Sequence, residues 1–307
     1  MRFYTKQHPL YCGIDLHART MYLCILHQDG AILVHRNMPA GPEPFLKAIA
    51  PSRDPIVVAV ECLFAWDWLA DLCAREGMPF VLGQALSMKA IHGGQAKNDT
   101  IDAQKIAGFR RGGMLPQAYV SPADMRATRE LLRRRMPLMR KGAALLARIH
   151  NTPSQYNVPE MGKKIADKAN RDGVAARFPA PAVPKSIAVD LALIGHDDQL
   201  LHDRELSLLQ TAKQHDANTL YRLRTVPGLG ELLRLGLRYD IHDLQRFPRV
   251  QDCVSSCRLV QCAQESAGKR YGPSGTKIGT ASLTWAFSEA AVLFVRANPA
   301  GQKSLAR

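Results

Sequence analysis

Residues 11–36 read YCGIDLHARTMYLCILHQDGAILVHR, and this stretch decides the fold of the N-terminal part. Three apolar runs, Tyr11–His17, Thr20–His27 and Ala31–Arg36, are too short for helices and rich in strand-forming residues. Between the second and third lies Gln28-Asp29-Gly30, and Asp-Gly is a strong signal for a tight hairpin. The three runs therefore predict an antiparallel meander. Outward from it, Pro44–Ile49 predicts a short helix with its proline in the first turn. Ile56–Glu61, IVVAVE, is continuously apolar up to its final acid, the pattern of a strand covered on both faces. Trp66, Leu69, Ala70 and Cys73 recur at helical spacing, and Gly77 closes that helix. Phe80–Leu82 is a further buried strand, and Asp99–Arg111 a helix. Strands leading into strand–helix–strand units predict an α/β unit, a mixed sheet with helices on both faces.

Beyond Pro122 the text changes. Up to His150 it is helical and basic, and residues 126–148 carry Arg126, Arg129, Arg133, Arg134, Arg135, Arg140, Lys141 and Arg148 against the single acid Glu130. Pro137 is expected to kink or divide this helix. Residues 151–186 are rich in Pro, Gly, Lys and Ala and predict a linker or irregular segment. Helical periodicity resumes over 187–214, and a third, mainly α region runs to the end. Three spans follow: 8–120, a basic helical and linker region at 121–215, and 216–307.

The charge balance narrows function. The 307 residues carry 41 Lys and Arg against 27 Asp and Glu, a net charge of +14. Such a surplus points to a polyanionic partner, nucleic acid or an acidic membrane surface. No apolar run approaches the length of a membrane span, the basic helix has no wide aromatic face, and the N-terminus lacks a signal core. A cytoplasmic nucleic-acid-binding protein is expected, with no membrane partner. The seven cysteines are odd in number and several sit in apolar contexts, so they read as reduced thiols. Cys253, Cys257 and Cys262 lack the paired spacing of a zinc site.

Four acids stand out by position. Asp15 and Glu61 end their apolar strands, at the rim where α/β folds keep their sites. Asp99 and Asp102 are three residues apart and share one helical face. Taken singly, each has a plain reading as a solvated strand end or a helix-start acid. Together in a basic chain they favour a divalent-metal site, since hard oxygen ligands select Mg²⁺ or Mn²⁺. Paired ions of this kind cut phosphodiesters. His17, two residues after Asp15, reads as a solvated strand-end histidine.

The second half offers two further motifs. Thr225-Val226-Pro227-Gly228-Leu229-Gly230 between helical runs fits a helix–hairpin–helix, in which Gly228 and Gly230 let backbone amides approach a phosphate, although PGLG also occurs in plain turns. Gln264–Gly279 is dense in Ser, Gly and Lys and enters an apolar helix, Leu283–Arg296. Such a loop can hold a phosphate through Lys269, Arg270 and Lys277, and a serine in it can attack phosphorus when activated; its composition equally fits a flexible surface loop. Along the basic helix, Arg129, Arg133, Arg134, Arg140 and Lys141 are the candidates to track a nucleic-acid backbone.

The spacing of the acids resembles the DEDD pattern of RuvC-like nuclease domains, which share the RNase H-like fold. More specifically, GIDLHARTMYLCIL, GGQAKNDTIDAQKIAGFRRGGMLPQAYV and MRATRELLRRR resemble DEDD-type insertion-sequence transposases, relatives of the Piv-type DNA invertases. Ser266-Ala267-Gly268, Lys277-Ile278-Gly279 and Ser288-Glu289-Ala290-Ala291 resemble, in order, the motifs of that family's C-terminal domain. The resemblance implies an RNase H-like N-terminal domain, a coiled-coil-like helical segment and a mainly α C-terminal domain. It further implies a transposase with Asp15, Glu61, Asp99 and Asp102 holding metal and Ser266 as covalent nucleophile, Ser274 second and Thr276 third. Ala267 departs from the glycine that many members carry there. DNA at element ends and targets, a structured guide RNA and a dimer pairing into a tetramer are the implied partners, with the protein on the bacterial nucleoid when acting. Relatives continue past Arg307 with another basic helix, so a shortened copy is expected. A hydrolytic junction nuclease using the same acids, and an inactive nucleic-acid-binding copy, remain the alternatives.

Overall fold

The short apolar runs of the N-terminal third form one five-stranded sheet in the computed structural model: β1 (Leu10–Leu16), β2 (Thr20–His27), β3 (Ile32–Pro39), β4 (Ile56–Glu61) and β5 (Phe80–Gly83). The structure describes residues 2–91, 98–162, 164–260, 262–274 and 279–305, with only the backbone described at 90, 262–266, 270–274 and 297. The strand order is β3-β2-β1-β4-β5. β1 runs antiparallel to β2, and β2 to β3, whereas β4 is parallel to both β1 and β5. The meander is thus as the Asp-Gly turn predicts, with a register shift between Ile25 and Leu26. This order and these strand directions are those of an RNase H-like sheet.

The helices of this part are α1 (Pro42–Ile49), α2 (Asp67–Arg75), α3 (Ala85–Ile91) and α4 (Asp99–Arg111). Alternation along the central strands sorts them between two faces. Leu10, Cys12, Ile14, Ile56, Val58 and Val60 meet Phe45 and Ile49 of α1 and Leu69 and Leu72 of α2. Tyr11, Val57, Ala59 and Val81 meet Ala103, Ile106 and Ala107 of α4. At the far end of α4, Arg110 is fully buried. Its guanidinium donates to the carbonyls of Tyr4 and Lys6 and lies 3.9 Å from the Tyr4 ring centroid, tying the N-terminal segment down.

The remainder is mainly helical: α5 (Ala123–Gln155), α6 (Ala182–Arg224), α7 (Glu231–Ile241), α8 (Val250–Ser256), α9 (Ala281–Ala297) and α10 (Pro299–Leu305), with a hairpin of β6 (Cys262–Ser266) and β7 (Lys269–Ser274). The chain divides into two compact units, one of residues 1–123 and 247–279, the other of 124–246 and 280–307. Pro137 does not divide α5, which runs through it. A proline removes only one backbone donor, and on either side α5 is held by packing against α6. Met125, Leu131 and Leu132 pack with Leu208 and Leu209, while Ile149 packs with Ile187 and Ile194. The irregular segment after α5 is no loose linker, since its Ile165, Val174 and Phe178 are buried in that second cluster. α6 departs from helical geometry at Asp216, whose carboxylate accepts the Thr219 amide at 2.9 Å and pairs with Arg238 of α7 at 3.3 Å.

The turn from α6 to α7 shows why Gly228 is glycine. Its φ is +84°, and a Cβ there would lie 2.6 Å from the Phe294 nitrogen and 2.8 Å from the Ala290 oxygen, both backbone atoms of α9. Gly230, which precedes α7 at φ −66°, has open space around it. Gly228→Ala is expected to cost about 1–3 kcal/mol through strain and overpacking, and Gly230→Ala well under that. Thermal melts of the two variants check this, with about 2–4 °C lost per kcal/mol in a unit of this size.

Candidate active site

The site begins with a glycine. A Cβ on Gly13, in the middle of β1, would lie 2.3 Å from both the Ala103 oxygen and the Ala107 nitrogen of α4. With no side chain at Gly13 and only methyls at Ala103 and Ala107, the backbone of α4 lies directly on the strand. The helix runs antiparallel to β1, so its first turn reaches the strand end where Asp15 stands. Asn98 fixes that turn by accepting the Ile101 amide at 2.8 Å as an N-cap. His35 of β3 contacts the Thr100 carbonyl at 3.2 Å.

Three groups come together there. Asp15 is only 6% exposed, while His17 and Asp99 are exposed. The His17 Nε2 lies 3.4 Å from an Asp15 carboxylate oxygen and 3.5 Å from one of Asp99. One ligand atom from each of Asp15, His17 and Asp99 lies within 4.8 Å of the others. The two carboxylates are hard donors of the kind that suit Mg²⁺ or Mn²⁺, whereas the imidazole is a borderline donor better suited to Zn²⁺ and its neighbours. Glu61 and Asp102, the other two predicted acids, are not part of that group. Ile14 pairs with Val60 in parallel register, so Asp15 and Glu61 follow side by side, on the face that α4 covers. Asp102 shares the first turn of α4, and its carboxylate pairs with Lys105 at 3.5 Å. His17 is the residue that the sequence reading set aside. Its signal was the period of two, which puts residues 15 and 17 on one side of the strand.

The other predicted residues fall elsewhere. Ser266 ends β6 and pairs in register with Lys269, which is exposed, and Ser274 ends β7. The side chains of Ser266, Ser274 and Arg270 lie outside the described part, as do Thr276 and Lys277 entirely. On α5, Arg129 and Arg133 each reach a carboxylate oxygen of Asp240 at 2.9 Å. Asp240, on α7, is 4% exposed, and Ser282 of α9 donates its hydroxyl to the second oxygen. Burial opposes its charge, but Arg133, Ser282 and Arg129 outweigh it and hold the carboxyl below its usual range. These two arginines are thus answered inside the helical unit rather than displayed as a solvated row. Arg134 pairs with Glu130 on its own helix, whereas Arg140 and Lys141 are exposed. Gly228 faces α9 rather than solvent. Among the described residues no helix is long and apolar enough to cross a membrane.

A family model described as Transposase (DEDD_Tnp_IS110) matches residues 12–158, and that of the Transposase IS116/IS110/IS902 family matches residues 220–306. The chain belongs to the IS110-type DEDD transposases. It is therefore a DNA-acting enzyme of transposition. No curated protein matches this transposase. Among solved structures, T. thermophilus RuvC in complex with a Holliday junction substrate is similar over 36% of this chain and 100% of that one, with 18% identity and a TM-score of 0.28.

Proposed function

We propose that this transposase cuts and rejoins DNA at the Asp15 cluster, with Asp15, Glu61, Asp99 and Asp102 holding Mg²⁺ or Mn²⁺ and Ser266 as the nucleophile. The observation that carries the reading is the seating of α4 on Gly13, which brings a helix-start aspartate to a strand-end aspartate. A bound divalent ion would activate the attacking oxygen and neutralise charge building on the phosphate. The residues do the rest. The Ser266 hydroxyl loses its proton as its oxygen bonds to phosphorus, and the bond from phosphorus to the 3′ oxygen breaks. That oxygen takes up a proton, leaving a phosphoserine link and a free 3′-hydroxyl. A 3′-hydroxyl of the other strand then attacks the link and returns the serine, so the number of phosphoester bonds is conserved. Ser274 is the second choice of nucleophile.

Lys269, Arg270 and Lys277 offset phosphate charge near the serine. Arg140 and Lys141 carry the exposed charge that tracks a nucleic-acid backbone, with Arg129, Arg133 and Arg134 beside them on the same helix. The reading includes a structured guide RNA, a dimer pairing into a tetramer through α5 and α6, and action in the cytoplasm on the nucleoid. The functional division is into a metal domain at 8–120, a basic helical region at 121–215 and a serine domain at 216–307.

The test is an adduct assay. Protein, Mg²⁺, element-end DNA and RNA transcribed from that end are incubated, and a denaturing gel is examined for labelled DNA on protein. Asp15→Asn is expected to lower strand cutting by about 10²–10³-fold, and chelation of the metal to abolish it. Ser266→Ala is expected to remove the adduct. Cutting that survives Ser266→Ala with no adduct identifies water as the nucleophile, and an adduct that survives it moves the role to Ser274.

A further inference from the structure

After Glu61 the chain reads Cys62-Leu63-Phe64-Ala65-Trp66 before α2 begins. All five are apolar, yet they separate sharply. Cys62 and Ala65 pack against the sheet's core, and Trp66 is buried in it. Phe64 is 81% exposed, more than any other large apolar side chain among the described residues, and Leu63 beside it is exposed too. The segment is held at both ends. The Cys62 amide donates to the Gly83 carbonyl at 2.8 Å, the Leu63 amide to the Glu61 carbonyl at 2.8 Å, and the Trp66 carbonyl accepts two amides from the first turn of α2 at 3.1 Å. An aromatic ring is thus presented to solvent on a short, anchored arch, where burial would have been favourable. β1 and β4 are parallel neighbours, so the arch leaves the sheet at the same edge as Asp15.

We propose that Phe64, flanked by Leu63, is a nucleobase-stacking platform beside the acidic site. It receives the flat face of a base unstacked from the strand whose phosphate the acids address. The inference rests on the reading of that site as one acting on DNA. A neutral aromatic face is the surface a base stacks on whatever its sequence, and the arch from Cys62 to Trp66 brings no charge to repel a polyanion. Anchoring both ends reduces the ordering cost of binding. Two exposed side chains are also far too small a patch for a stable protein interface.

The experiment uses the full chain with Ca²⁺ in place of Mg²⁺. The probe is a duplex with a three-nucleotide bulge carrying 2-aminopurine in the bulge, compared with the same duplex without it. Phe64→Ala is expected to weaken binding of the bulged probe by about 5- to 150-fold, the range for loss of one stacked base. Plain-duplex affinity and melting temperature stay at wild-type values, because the ring lies outside the core. Wild type quenches the 2-aminopurine, Phe64→Ala does not, and Phe64→Trp restores both quenching and affinity. Equal affinity and quenching in wild type and Phe64→Ala overturn the proposal. So does a change of oligomeric state in Phe64→Ala with DNA binding unaltered, which would assign the ring to a second copy. Wild type that binds neither probe overturns the DNA reading of the site as well, which separates the two failures.

Discussion

Asp240→Ala is expected to destabilise the helical unit by about 3–5 kcal/mol, the cost of breaking a buried ion pair by removing one partner. Asp240 is the common acceptor for α5 and α9. Arg129 and Arg133 reach one of its oxygens at 2.9 Å, and Ser282 donates to the other. The space around them is lined by Leu132, Leu232, Trp285 and Ala286, which offer no replacement acceptor. Alanine leaves two guanidinium groups facing one another beside apolar walls. Chemical unfolding of the full chain measures this as a fall in midpoint. Asp240→Asn keeps an acceptor for Ser282 but not the charge, and falls between. The pH dependence has a definite sign. The folded carboxyl titrates below its unfolded value, so its contribution is full at neutral pH and is lost as the pH drops below about 4. The gap between wild type and Asp240→Ala therefore closes in acid. A gap that stays constant from neutral pH to pH 3 removes the ion-pair explanation.

That network also shows where sequence reading stops. Arg129 and Asp240 are 111 positions apart, and nothing local to α5 marks which of its arginines meets a buried acid. Counted along the helix they form a basic row, but folded they divide into paired and exposed members. Short-range patterns fared otherwise. IVVAVE carries the mark of a strand covered on both faces, and Asp29-Gly30 that of a tight hairpin turn, so the meander and the buried strand after it were legible. Asp99–Arg111 was readable because Ile101, Lys105, Ile106 and Phe109 recur at helical intervals. The β6–β7 hairpin was hidden by its composition. Its turn residues Ala267 and Gly268 both have positive φ, +50° and +72°, and alanine is a poor signal for that conformation.

Gly13→Ala is expected to lower strand cutting by about 10²-fold without altering any acid. The added methyl would stand 2.3 Å from a carbonyl oxygen and an amide nitrogen of α4. Both are backbone atoms, so no side-chain rotation relieves the clash, and the helix must move off the strand by about the ångström whose misplacement costs 10²-fold in a positioned reaction. α4 carries Asp99 and Asp102 at its first turn, whereas Asp15 is fixed in β1, so the displacement separates the carboxylates from one another. Loss of close packing at Ala103 and Ala107 adds about 1–3 kcal/mol of destabilisation, and Gly13→Val costs more because its branched methyls enlarge the clash. Gly108 is the internal control. It lies in the same helix with nothing within 4 Å of a Cβ, so Gly108→Ala keeps the fold and gains up to about 1 kcal/mol of helix propensity. Melting curves paired with cutting assays separate the two positions. A Gly13→Ala protein that melts and cuts like wild type would show that α4 does not set the acids in place, and the account of the site would fall with it.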